Sequence, residues 1–330
     1  MKDMDDFRGP SRRPWLFLAL VLLLVVAGVC LRCCRPGHPR ETVEPPGEQG
    51  AAVAAPAVAA PGGQAAAAQA PGTTNAAAVR SAPAAPRADL QQALAEARQH
   101  ADADRLLDAR KTCLSLLGRP DAAALRGPVE ELLGDVNLRL VLSPRAMPEK
   151  IEYATQSGDS LKVLARRFGV TQELIQRGNN IANPNRIQSG DRLRILSKPA
   201  FEIAIGKQAN DLVLRLNGAF FKRYRVGTGQ YGRTPAGTFR IKDKIENPPW
   251  WHPDGREIPF GDPANILGTR WMSIEATGAT PPARGYGIHG TWDDNSIGRQ
   301  SSAGCIRMHN ADVEELFALV PEGTPVKIAD

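Results

Sequence analysis

Apolar positions along this 330-residue chain follow four successive rhythms. From Trp15 to Leu31 they form one charge-free run, WLFLALVLLLVVAGVCL. From Asp89 to Leu142 they recur at i, i+3 and i+4, in LQQALAEARQ, DRLLDARKTCLSLL and DAAALRGPVEELLGDVNLRLVL. That spacing predicts three helices. Asp89 and Asp121 are the expected N-caps, Gly118-Arg119-Pro120 ends the second helix, and Gly127-Pro128 is expected to break or kink the third. Between 150 and 197 the pattern is strand, helix, helix, strand: IEYAT, SLKVLARRF, TQELIQRG and DRLRIL. Leu161, Leu164, Ala165 and Phe168 fall on one face of the first helix, and Thr171 is placed to cap the second. From Phe201 the period drops towards two, with turn residues splitting short runs. One helix, ADVEELFALV, follows Asn310, and a last strand, PVKIAD, closes the chain. The fold class expected is multidomain α+β: a membrane anchor, a small helical bundle, a βααβ module and a β-rich domain with a C-terminal helix.

Composition sharpens this plan. Pro36 to Ala88 is nearly all Ala, Pro, Gly, Gln and Thr, too poor in large apolar side chains to bury a core. It reads as a semi-extended, disordered tether. The run at 15–31 is at the short end for a membrane span. A cleaved signal peptide is the competing reading, but Ala27-Gly28-Val29-Cys30 is a poor lipobox, so an uncleaved signal anchor is expected. The domains expected are a cytoplasmic tail at 1–14, the anchor at 15–31, the linker at 36–88 and a helical bundle at 89–146. The βααβ module at 150–197 and the β-rich domain at 200–330 complete the plan.

The net charge of +6 is unevenly placed: +4 over 1–40, −3 over 41–149, +4 over 150–197 and +1 over 198–330. The largest folded domain is near neutral, which argues against a nucleic-acid partner. Of five cysteines, Cys30, Cys33 and Cys34 cluster beside the apolar run, Cys113 lies on a helical apolar stripe, and Cys305 stands alone. No even framework suggests disulfides within the folded regions. His252, His289, Cys305 and His309 lack short paired spacing, so neither a metal site nor a cofactor is expected.

Cys305 sits in SSAGCIRM, sixteen residues after His289-Gly290. Acyl transfer requires a nucleophile, a base and donors for the developing oxyanion. Cys305 supplies sulfur and His289 can take its proton, giving a thiolate–imidazolium pair. The amides of Gly304 and Cys305 are candidate oxyanion donors. Arg307 alternates with Cys305 along an extended chain, so it can share a cleft face. It could order the cysteine loop or pair with a substrate carboxylate. Ser302 is a loop hydrogen-bonder or a substrate contact; Trp271, Tyr286 and Trp292 are cleft lining or ordinary packing.

The blocks VGTG at 226–229, TPAGTF at 234–239, Arg270-Trp271-Met272, IHGT at 288–291, SAGCIRM at 302–308 and GTPVKI at 323–328 occur in order. Together they resemble the YkuD-type L,D-transpeptidase catalytic domain, from about Phe201 onward. Many members of that family have histidine where this chain has Ala303. The resemblance implies that the carbonyl of Gly290 orients His289. It also implies that Cys305 attacks a peptidoglycan stem tetrapeptide, releasing D-alanine. An amine would then take the acyl group, in a 3→3 cross-link or in attachment of a protein; water would make the enzyme an L,D-carboxypeptidase. The βααβ segment resembles the LysM module. The resemblance implies glycan binding in a shallow groove flanked by Gly158, Asp159, Ser160, Asn180 and Ile181. The same residues are turn formers and caps. A non-catalytic wall-binding protein is the alternative class. Either reading puts the folded part in the cell envelope, on the outer side of a single-pass anchor. A protein partner for the helical bundle is a further possibility.

Overall fold

The computed structural model describes residues 87–330. The expected tail, the anchor at 15–31 and nearly all of the linker lie outside the described residues. Among the described residues, no helix is long and apolar enough to cross a membrane.

Three helices open the described chain: α1 (Ala88–Asp102), α2 (Leu106–Leu117) and α3 (Arg126–Val141), with a 3-10 segment at Pro120–Leu125. Their buried stripes, Leu90, Leu94, Cys113, Leu116, Val129 and Leu133 among them, form a small core. Burial also pushes the Cys113 thiol up to about 11, so it packs as an inert hydrophobe. The capping expectation fails. Arg87 and Leu125 hold the N-cap positions of α1 and α3 without side-chain caps, while Asp89 lies inside α1 and Asp121 inside the 3-10 segment. Asp89 and Asp121 instead pair with Arg87 and Arg119 across the two segments. Pro128 does not break α3, because it falls in the first turn, where the missing N–H would have no intrahelical partner.

The next unit is β1 (Lys150–Ala154), α4 (Leu161–Phe168), α5 (Gln172–Gly178) and β2 (Arg192–Leu196), with β1 and β2 antiparallel. Ser160 and Thr171 cap α4 and α5 by accepting from Val163 N at 3.3 Å and Leu174 N at 2.9 Å. Two Gln-Ser-Gly-Asp turns, at 156–159 and 188–191, share one geometry. In each the aspartate accepts from the glutamine N–H, at 2.9 and 2.8 Å, and the glycine has positive φ. Thr155 binds the second turn beside the first through Asp191 O and Gly190 N.

The remainder is an eight-stranded sheet in the order β13-β11-β10-β7-β14-β3-β4-β5. Its strands are β3 (Phe201–Gly206), β4 (Asp211–Leu216), β5 (Ala219–Arg225), β7 (Gly237–Glu246), β10 (Arg270–Ala276), β11 (Gly287–Thr291), β13 (Ile306–His309) and β14 (Pro325–Ala329). Short pairs β6 (Thr228–Gly229) with β12 (Gln300–Ser302), and β8 (Trp250–Trp251) with β9 (Glu257–Ile258), flank it. Helix α6 (Asn310–Leu319) packs on β10, β11 and β13.

These units are joined by one continuous core running from Leu106 through Leu164 and Ile195 to Ile328. Helix α3 lies on the edge strand β5. Asn137, buried, donates to Phe221 O at 2.8 Å, and the buried Glu130 accepts from Arg223 at 2.8 Å and Arg126 at 2.9 Å. Thr171 caps α5 and also donates to Ala318 O in the last turn of α6. Lys244, lowered to about 8 by burial, donates to Phe317 O and Val320 O at the same helix end. The βααβ unit is therefore docked on the body of the eight-stranded sheet.

Candidate active site

Strands β11 and β13 run parallel, with His289 in register with Arg307. Cys305 immediately precedes β13. One cavity of about 480 Å³ is lined by His289, Ser302, Ala303, Cys305 and Arg307. Its other walls are Trp271, Gly285 and an apolar flap built from Pro248–Trp251, Pro253, Ile266 and Leu267.

His289 is 2% exposed. Its Nδ1 lies 2.6 Å from the Gly290 carbonyl. A carbonyl only accepts, so in the neutral ring Nδ1 carries the hydrogen and Nε2 the lone pair. The Trp271 ring stacks on the imidazole, with centroids 5.6 Å apart and planes 29° apart. Burial holds the His289 pKa down at about 4; the Gly290 carbonyl raises it and the Arg307 charge lowers it. Burial also pushes the Cys305 thiol up, against the Gly287 backbone and Arg307, which lower it. Both shifts favour the neutral forms of the two groups. The thiol donates to Gly285 O at 3.5 Å rather than to the His289 ring.

The cysteine loop is tied from three sides. Ser302, 3% exposed, donates to Cys305 O at 2.6 Å and accepts from Gly304 N at 3.0 Å. Thr234, fully buried, donates to Gly304 O at 2.8 Å and accepts from Gly229 N at 2.8 Å. Gly304 has φ +142°, and a Cβ there would strike the Tyr286 ring. These bonds correct one expectation: the Gly304 amide is occupied within the loop. The Cys305 amide donates to no acceptor in the loop. Arg307 exchanges backbone hydrogen bonds with Gly227 at 2.8 and 2.9 Å. Its buried Nε has no partner among the described residues.

Of the aromatic candidates, only Trp271 lines the cavity; Tyr286 packs under Gly304, and Trp292 lies exposed against Phe260. His252 and His309 pair separately with Asp254 and Asp294, each at 2.8 Å. Among the described residues, no group of three or more His, Cys, Asp or Glu is placed to hold a metal.

Each residue expected at the glycan groove has a local job. Gly158 and Asn180 take positive φ, at +86° and +53°. Asp159 accepts from Tyr153 OH at 2.7 Å and Gln156 N, Ser160 caps α4, and Ile181 N donates to Gln176 O at 3.0 Å.

Three positioning residues escaped the sequence reading. Thr234 was only part of a motif block. Asn265, 1% exposed, donates to Pro248 O at 3.0 Å and Ile258 O at 3.1 Å and accepts from Leu267 N at 2.9 Å, knitting the flap. Asn310 accepts from Thr269 N at 3.1 Å and donates to Thr291 O at 3.0 Å, directly behind Gly290. Its place as the first residue of α6, after Arg307-Met308-His309, was the one available signal.

A buried histidine on β11 and a half-buried cysteine just before the parallel strand β13 face one apolar cavity. The family model for the YkuD L,D-transpeptidase catalytic domain matches residues 201–328, and that for the LysM domain matches 153–196. The Bacillus subtilis (strain 168) protein YkuD, named an L,D-transpeptidase, is 34% identical over 188 residues, covering 54% of this chain and 98% of its own. YqjB of the same organism, likewise named, is 40% identical over 129 residues, covering 39% of this chain and 70% of its own. An L,D-transpeptidase crystal structure from Mycobacterium tuberculosis H37Rv matches at 16% identity and a TM-score of 0.33, over 43% of this chain and 64% of that one. At that score the likeness adds nothing to the sequence match. The chain belongs to the YkuD family of L,D-transpeptidases, and it carries a LysM domain ahead of the catalytic domain.

Proposed function

We propose that Cys305 is the nucleophile of a peptidoglycan L,D-transpeptidase acting on the tetrapeptide stem. His289 Nε2 takes the thiol proton as sulfur attacks the carbonyl of the third residue. The Cys305 amide receives the oxyanion. The carbon–nitrogen bond to D-alanine breaks, His289 returns the proton to the leaving amine, and a thioester remains. An acceptor amine then displaces the sulfur, giving a 3→3 cross-link or attachment to a protein, and the thiol is restored. The Arg307 side chain, on the cavity wall with its Nε unpartnered, suits a stem carboxylate.

The observation that carries this reading is the 2.6 Å contact between His289 Nδ1 and Gly290 O, which selects the tautomer a general base needs. In this reading the LysM domain holds glycan at a fixed orientation to the cavity. The apolar run at 15–31 anchors the chain, with the catalytic domain on the envelope side. The test is product analysis by mass spectrometry with disaccharide-tetrapeptide, the full chain and Cys305→Ala in parallel. Dimers lost in the variant support the reading. Tripeptide as the sole product, again lost in the variant, identifies an L,D-carboxypeptidase. No turnover with glycan binding retained favours a wall-binding protein.

A further inference from the structure

Large apolar side chains standing free in water are common singly, but a contiguous group marks a binding surface. Three such side chains stand on the flap and next to the strand that carries His289. Trp251 is 64% exposed, Trp292 57% and Phe260 39%. Phe260 follows β9 on the flap whose Trp250 and Trp251 line the cavity. Trp292 follows Thr291, the last residue of the strand that carries His289. The Phe260 and Trp292 rings lie 6.3 Å apart and are tilted by 45°, joining flap and strand without closing into a stack.

What borders the rings narrows the ligand. Trp292 is followed by Asp293, Asp294 and Asn295, all exposed. Asp293 N donates to Thr291 Oγ1 at 3.1 Å, and Asp294 pairs with His309 at 2.8 Å, which fix the turn. An aromatic face edged by acceptors and an amide suits a neutral polyhydroxylated ring. Its axial C–H bonds pack on the aromatic face, and its hydroxyls reach the polar edge. The two carboxylates make the surface a poor match for an anionic lipid headgroup or a nucleic acid.

We propose that Trp292 and Phe260 form a saccharide shelf on the catalytic domain, distinct from the LysM groove. It binds a hexosamine ring of the glycan strand whose stem enters the cavity. The shelf rests on the reading of the stem peptide as substrate, and its test separates the two.

The full chain, Trp292→Ala and Phe260→Ala are assayed with disaccharide-tetrapeptide and with free tetrapeptide. The wild type prefers the sugar-bearing donor in kcat/KM, and the ratio between donors falls about tenfold in Trp292→Ala. Equal loss on both donors, or loss on neither, overturns the shelf. If the wild type turns over neither donor, the stem reading fails and the shelf is read by tryptophan fluorescence. The LysM segment contains no tryptophan, so quenching by an N-acetylglucosamine oligosaccharide reports the catalytic domain. Quenching lost in Trp292→Ala supports the shelf; quenching retained there, or absent in the wild type, overturns it.

Discussion

The side-chain oxygen of Asn310 occupies the space that a Cβ on Gly290 would need, and Gly290 is the residue whose carbonyl holds His289 Nδ1. Helix α6 therefore reaches the imidazole through one amide, which also bridges Thr269 and Thr291. Gly290→Ala forces that amide or the strand to move and tilts the carbonyl. Acylation should fall by roughly 10²-fold, the scale of a lost general base, with the far-UV circular dichroism spectrum unchanged. Gly290→Ala with wild-type kcat would show that the carbonyl does not set the base.

The neutral pair has a pH signature. With the thiol raised and His289 lowered to about 4, thiolate is scarce near neutrality. Alkylation of Cys305 by iodoacetamide should climb steadily with pH past 9. A thiolate–imidazolium pair would instead give a plateau across neutral pH.

His289 also links pH to stability. Burial holds its folded pKa at about 4, below the 6.5 of a free histidine. The unfolded chain binds the extra proton, so stability is full above 6.5 and is lost as pH falls towards 4. The full loss is about 3 kcal/mol for a shift of this size. Urea midpoints at pH 4 and 7 should differ less in His289→Gln than in the wild type. An unchanged difference would contradict the buried neutral imidazole.

The side-chain amide of Asn265 ties three stretches of backbone in the flap together. Asn265→Ala strands Pro248 O, Ile258 O and Leu267 N, each a buried group worth about 1–3 kcal/mol when unpaired. The variant should lose roughly 3 kcal/mol or leave the flap open. KM for the stem should rise more than kcat falls, as steady-state kinetics can show. A kcat loss at constant KM would place Asn265 in the chemistry instead.

The strands were legible in the chain where one face is buried. FEIAIG alternates Phe201, Ile203 and Ile205 inward against partly or fully exposed neighbours. Thr171 was legible as a cap because its hydroxyl acts locally. The flap was not, since Pro248-Pro249-Trp250-Trp251 takes its shape from an asparagine at 265. That Cys305 and His289 share one cavity was visible as motif spacing. The protonation state was not, because burial sets it and burial belongs to the whole fold. The occupied Gly304 amide depended on Ser302 turning back on its own loop, which no periodicity reveals. The docked LysM unit was hidden for a similar reason: Thr171 serves two helices at once.

The central claim is that Cys305 carries the acyl group after His289 takes its proton. Intact-protein mass spectrometry with peptide mapping, after brief mixing with the tetrapeptide donor, tests it directly. The expected result is a mass gain equal to the donor less D-alanine, mapped to Cys305, absent in Cys305→Ser and strongly slowed in His289→Ala. Turnover without an adduct, or an adduct on another residue, would contradict it.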